Sequence, residues 1–175
     1  MDQSVIPECF IDTNLLETLV PPIGQYNHQK GCGTVTKVMK ERFADRFALG
    51  IIDRDKHELD YLNEFNEICR HGSLILHKHK TRHHYIIQIN PAIERFILKN
   101  ADAIGVSLRV FDLPTDFDQL KKESKTVNSK KDQRFKKLFK TLSNHGAPDI
   151  LKLESWVRYL KEKNYEADMD KLRQL

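Results

Sequence analysis

Residues 47–53 read FALGIID, and no other stretch limits the fold as much. The run Phe47 to Ile52 is apolar without the alternation of a half-buried strand. Such a run suits a strand covered on both faces, as in a parallel sheet flanked by helices. It ends abruptly on Asp53-Arg54-Asp55-Lys56, two acids one residue apart. In open α/β sheets the carboxyl end of a parallel strand is where ligands bind.

The neighbouring segments supply the covering helices. Residues 34–46 place Val35, Val38, Met39 and Phe43 at helical spacing. Residues 57–71 repeat the pattern through Leu59, Leu62, Phe65 and Ile68/Cys69, with Gly72 to close the helix. Upstream, CFID at 9–12 reads as a first strand, followed by a helix capped at Thr13-Asn14 and stopped by Pro21-Pro22. Residues 73–77 and 84–89 read as strands of a hairpin around KHKTRH. Asn90 and Pro91 suit the cap and first position of a helix carrying Ile93, Phe96, Ile97 and Ala101. A further short strand is expected over 106–111, and a helix capped by Thr115 after it. The expected class is α/β, a Rossmann-like, mainly parallel sheet with helices on both faces over residues 1–112.

From residue 121 the composition shifts. The window 121–140 holds nine Lys/Arg against two acids. SKTVNSKK reads as a loop, and DQRFKKLFKTLSN and ILKLESWVRYLKEKN as helices. Residues 113–175 are therefore expected to form a basic, helical C-terminal tail. The chain of 175 residues is 39% hydrophobic and 31% charged, enough apolar material for a core. Its net charge of +4 permits nucleic-acid binding without demanding it. Cys9, Cys32 and Cys69 lack CxxC spacing, which favours neither a disulfide framework nor a zinc site. The start MDQSVIPECF has no basic, apolar leader and no run nears the roughly 20 residues of a membrane helix, so no membrane association and a cytoplasmic location are expected.

Alternate residues of an extended chain face the same way, so Asp53 and Asp55 can address one spot, as a magnesium or manganese site needs. The same two residues equally suit a helix cap and first turn. Asp12 ends the expected first strand. If the two strands are adjacent and parallel, Asp12, Asp53 and Asp55 converge, and three such carboxylates repel one another without a cation. Glu17, one turn further on, and Glu94, in the first turn of its helix, are reserve acids or bases. Lys30, Gly31 and Gly33 precede a helix and could cradle a phosphate, although the Walker spacing is absent. Lys130, Lys131, Arg134 and Lys137 could follow a phosphate backbone, with Phe135 and Phe139 on the apolar face; a solvated helix face is the plainer alternative. The histidines of HKHKTRHH suit a basic, solvated turn better than a metal site.

The ordered set, an acid ending the first strand, KGCG before a helix, then LGIIDRDK, resembles the Toprim fold of primases, topoisomerases and related nucleases. The resemblance covers roughly residues 8–60. It implies a Toprim-like domain in which a first-strand acid and a later DxD bind magnesium and act on nucleic-acid phosphates. Asp53 and Asp55 match the DxD. Asp12-Thr13 stands where the family has Glu followed by Gly. FIDTNLLETLV is also similar to the opening of a PIN-domain ribonuclease. Both resemblances imply metal-assisted hydrolysis of a phosphodiester, and some Toprim nucleases work with a partner ATPase. The alternatives are a degenerate Toprim-like module that binds nucleic acid or protein without cutting, and a generic α/β phosphohydrolase.

Overall fold

A computed structural model describes residues 2–54 and 59–175. In chain order the main elements are β1 (Val5–Pro7), α1 (Phe10–Leu19), α2 (Cys32–Val38), β2 (Ala48–Asp53), β3 (Phe65–His71), β4 (Leu74–His79), β5 (His84–Ile89), α3 (Ile93–Ala103), α4 (Phe117–Ser124), α5 (Gln133–Asn144), α6 (Pro148–Lys163) and α7 (Met169–Gln174). The five strands form one mixed sheet in the order β1-β2-β5-β4-β3. β1, β2 and β5 run parallel, and β4 and β3 complete the sheet antiparallel. The fold is thus α/β, with the parallel strands grouped around β2.

β2 shows why an unbroken apolar run was needed. Leu49 and Ile51 join a large core cluster with α1, α3, α5 and α6, while Ala48 and Ile52 join a second cluster with Val35, Met39 and Phe43. Both faces of the strand are therefore dry. Gly50 lies under α2 and the π-helical turn Met39–Phe43 that extends it. A Cβ there would stand 2.9 Å from Met39 Sδ and 3.1 Å from Val35 Cγ1. Gly50→Val is expected to cost about 1–3 kcal/mol through overpacking, read as a lower urea midpoint with an unchanged m-value. An unchanged midpoint would show that the helix is not seated as described.

Five expected elements differ. CFID is not a strand. Cys9 caps α1: its Sγ accepts the Asp12 N–H at 3.4 Å and Asp12 Oδ2 accepts the Cys9 N–H at 3.1 Å. This reciprocal pair is a capping box built on sulfur, and it moves the first strand back to residues 5–7. The helix expected across 57–71 is instead a 3₁₀ turn, Asp60–Glu64, followed by β3. Gly72, with φ +53°, turns the chain between β3 and β4, and cross-strand pairing from Phe65↔His79 to His71↔Leu74 outweighs the helical spacing. Residues 108–111 form a 3₁₀ turn rather than a strand. Helix α3 starts at Ile93 with Ala92 as its cap, after a cis Asn90–Pro91 peptide, and Asp116 rather than Thr115 caps α4.

The chain after residue 112 is helical, and it is part of the core. Leu120, Phe135, Leu138, Phe139, Trp156 and Leu160 belong to the same apolar cluster as Leu49 and Ile87 of the sheet. Asn14 of α1 donates through Nδ2 to the carbonyl oxygens of Ser129 at 2.6 Å and Asp132 at 3.2 Å. That buried amide joins the start of the chain to its basic segment. Among the described residues, no helix is long and apolar enough to cross a membrane.

Candidate metal and phosphate site

The carboxyl ends of β1 and β2 lie side by side, and each delivers an acid. Glu8 follows directly on β1, and its Oε2 accepts the Asp53 N–H at 2.9 Å. Asp53 is the last residue of β2. Asp12 reaches the same place from the first turn of α1, where it is 1% exposed. Glu94, in the first turn of α3, is equally buried, and the Ser124 hydroxyl of α4 donates to its Oε1 at 2.6 Å. Four elements therefore converge on one acidic cluster, Glu8, Asp12, Asp53 and Glu94.

The electrostatics follow from this packing. Burial raises the pKa of Asp53 above its usual 3.8, and the charges of Asp12, Glu8 and Glu94 push it further the same way. Burial also raises Asp12, with Glu8 and Glu94 adding to the effect against the opposing bonds from Cys9. Asp12 Oδ1 and Asp53 Oδ1 are buried with no hydrogen-bond partner. A buried carboxylate oxygen without a donor costs on the order of 1–3 kcal/mol or more; a proton or a cation relieves that cost. Cys9 sits beside them, and burial, then the Asp12 charge, holds its thiol well above 9.0. Its sulfur serves as the cap of α1.

A cleft of about 390 Å³ opens on this cluster. Glu8, Asp53 and Glu94 face it together with Arg54, Lys121 and Lys125. Three acids and three cations thus line the same cleft. Both lysines come from the basic segment after residue 112.

The expected site residues divide accordingly. Asp12, Asp53 and Glu94 are brought together. Asp55 lies outside the described residues. Glu17 is not brought to the cluster: its charge bears on the Tyr26 hydroxyl, which donates to the Val20 carbonyl at the far end of α1. Lys30 is exposed, and Gly31 ties its loop to β1 by donating to the Glu8 carbonyl at 3.3 Å. The Cα atoms of Gly31 and Gly33 face open space, but α2 has only seven residues before its π turn. Arg134 is committed internally, donating to Glu123 Oε2 and Asp132 Oδ2 at 2.8 Å and to the Asp112 carbonyl at 2.9 Å. Lys130 and Lys131 border a separate hollow of about 380 Å³ with Val127 and Asp132. Lys137 is exposed on α5.

Glu8 and Ser124 were not expected at the site, whereas Lys121 and Lys125 belong to the basic window 121–140 expected to follow a phosphate backbone. No family model matches the chain, nor does any curated protein or solved structure. The site must stand on its own geometry. Among the described residues, no three His, Cys, Asp or Glu side chains are already arranged to hold a metal ion. The donor chemistry nonetheless suits one. Four carboxylates supply hard oxygens, and two of those oxygens are buried without partners.

Proposed function

We propose that the chain is a magnesium- or manganese-dependent phosphodiesterase acting on nucleic acid, of Toprim-like type. One observation carries the reading: buried, unpartnered oxygens of Asp12 and Asp53 sit within a four-carboxylate cluster that opens on a cleft also lined by cations. The Toprim resemblance gains support from Glu8-Cys9. The family's first strand ends in Glu followed by Gly, and here β1 is followed by Glu8, with Cys9 in place of the glycine. Its neighbour β2 ends in Asp53, the first acid of the DxD.

Glu8, Asp12 and Asp53 would hold the ion, which when bound supplies Lewis-acid polarisation of a phosphate oxygen and a more acidic water. The chain's own residues do the rest. Arg54, Lys121 and Lys125 bind and orient the phosphodiester, and neutralise charge on its non-bridging oxygens. Glu94 is fixed through Oε1 by Ser124, which leaves Oε2 to take a proton from an attacking water.

The test is cleavage of single- and double-stranded DNA and RNA with magnesium or manganese, by wild type and Asp53→Ala. The expected result is cleavage by wild type and a loss of at least about 10³-fold in the variant. Binding without cleavage by either protein would replace this reading with that of a non-cutting binding module. Hydrolysis of free nucleotides but not polymers would favour a phosphohydrolase.

A further inference from the structure

Beside the cleft lies a second hollow of about 480 Å³, which Arg95, Lys99, Asn90 and Pro91 help to line. Pro91 lines both, so the two concavities adjoin. Their cations are also contiguous. The Arg95 guanidinium sits 4.4 Å from the centre of the Phe117 ring, and Lys121 Nζ lies 5.6 Å from the same ring. Phe117 thus bridges the cation of the hollow to a cation of the cleft. Lys99 adds a second charge; its side chain is 57% exposed, although Nζ lies 3.3 Å from Asp149 Oδ2. Asp102 is the acid among the lining residues.

We infer that cleft and hollow form one path for a single nucleic-acid strand, with Arg95 and Lys99 meeting a phosphate that neighbours the one held at the acidic cluster. This rests on the proposed nuclease reading for what happens in the cleft, but the path itself is a binding property. Each concavity has the size of a single small-ligand site. A free nucleotide would fill one and leave the cations of the other unused. A polymer uses both, because a groove of positive charge tracks a phosphodiester backbone.

The experiment measures binding of a fluorescent 12-nucleotide single strand by anisotropy. Wild type is compared with Arg95→Glu and with Arg95→Ser/Lys99→Ser, in EDTA and again in calcium. Each loss of a phosphate contact flattens the salt dependence, by roughly 0.7 in the log–log slope for single strands. The expected result is at least a tenfold weaker complex for either variant and a slope about 1.4 smaller for the double variant. Hydrolysis of bis(p-nitrophenyl) phosphate by wild type is measured in parallel, as a readout of the cleft that does not depend on polymer binding.

Unchanged oligonucleotide affinity in Arg95→Glu, with a wild-type melting temperature, overturns the path. So does failure of wild type to bind the strand in either buffer. If the variants weaken binding while wild type cleaves nothing, the path stands and the nuclease reading falls. If diester hydrolysis is seen and binding is insensitive to Arg95, the reverse holds.

Discussion

Asp53→Asn is expected to melt about 5 °C above wild type in EDTA at pH 8, and to lose wild type's thermal response to magnesium. Folding buries Asp53 among Asp12, Glu8 and Glu94, and burial first, then those charges, raises its pKa above 3.8. A carboxyl with a higher pKa folded than unfolded holds its proton more tightly in the folded state. The folded chain then binds more protons than the unfolded one, and stability falls as pH rises above 3.8. Removing the charge removes that loss. A gain of about 1–2 kcal/mol corresponds to several degrees in a chain of this size.

The histidines act in the opposite direction. Burial lowers His77, His79 and His84 below 6.5, so their contribution is lost as pH falls through that value. Above pH 6.5 the slope of the carboxyls remains without theirs. In EDTA the wild-type melting temperature should therefore fall between pH 6.5 and 8.5, and fall less in Asp53→Asn. Magnesium should flatten the wild-type curve, because a ligand of the folded state stabilises it. A wild type indifferent to magnesium, matched by an Asp53→Asn no more stable than itself, would sink the cation reading of the cluster.

The second large effect belongs to Asp149, at the start of α6 and 3% exposed. Its Oδ2 accepts the Ser73 N–H at 3.0 Å and faces Lys99 at 3.3 Å, while its own N–H donates to Asn100 Oδ1 at 3.2 Å. One residue thus joins α6, α3 and the β3–β4 turn. Asp149→Ala leaves the buried Ser73 N–H without an acceptor and Lys99 without its partner. The expected cost is about 3–4 kcal/mol, a fall of roughly 10 °C. Asp149→Asn keeps an oxygen for Ser73 and should lose less than half of that. If Asp149→Ala melts within a degree of wild type, the junction is not what holds α6 to the sheet.

Parts of this architecture were legible in the sequence for identifiable reasons. The strand ending at Asp53 is unmistakable because both of its faces are buried. Helix α5 keeps Phe135, Leu138, Phe139 and Leu142 on one buried face, and α6 opens with Pro148 at its first position. Glu94 was noticed because an acid in a first turn is a marked position. β1 was missed because three residues, VIP, are too few for a period, and because cysteine is an unusual cap. Placing that strand four residues late hid Glu8, which follows the true strand directly. β3 was read as helix because its apolar residues have helical spacing, whereas pairing with β4 is a long-range fact. Lys121 and Lys125 stood out only as part of the basic window, and Ser124 could not be found locally, since only the tertiary fold carries α4 to the acids.

The Ser124–Glu94 bond has a consequence for the order in which the molecule is made. Acids 8, 12, 53 and 94 leave the ribosome before any of their partners from α4 onward. Until then Glu94 lacks the hydroxyl that fixes it, and the cleft lacks Lys121 and Lys125. Asn14 likewise waits for the carbonyl oxygens of Ser129 and Asp132. A nascent chain therefore carries its acids early and completes their surroundings late. The residues that fix Glu94 and neutralise the cleft thus come later in the chain than all four acids.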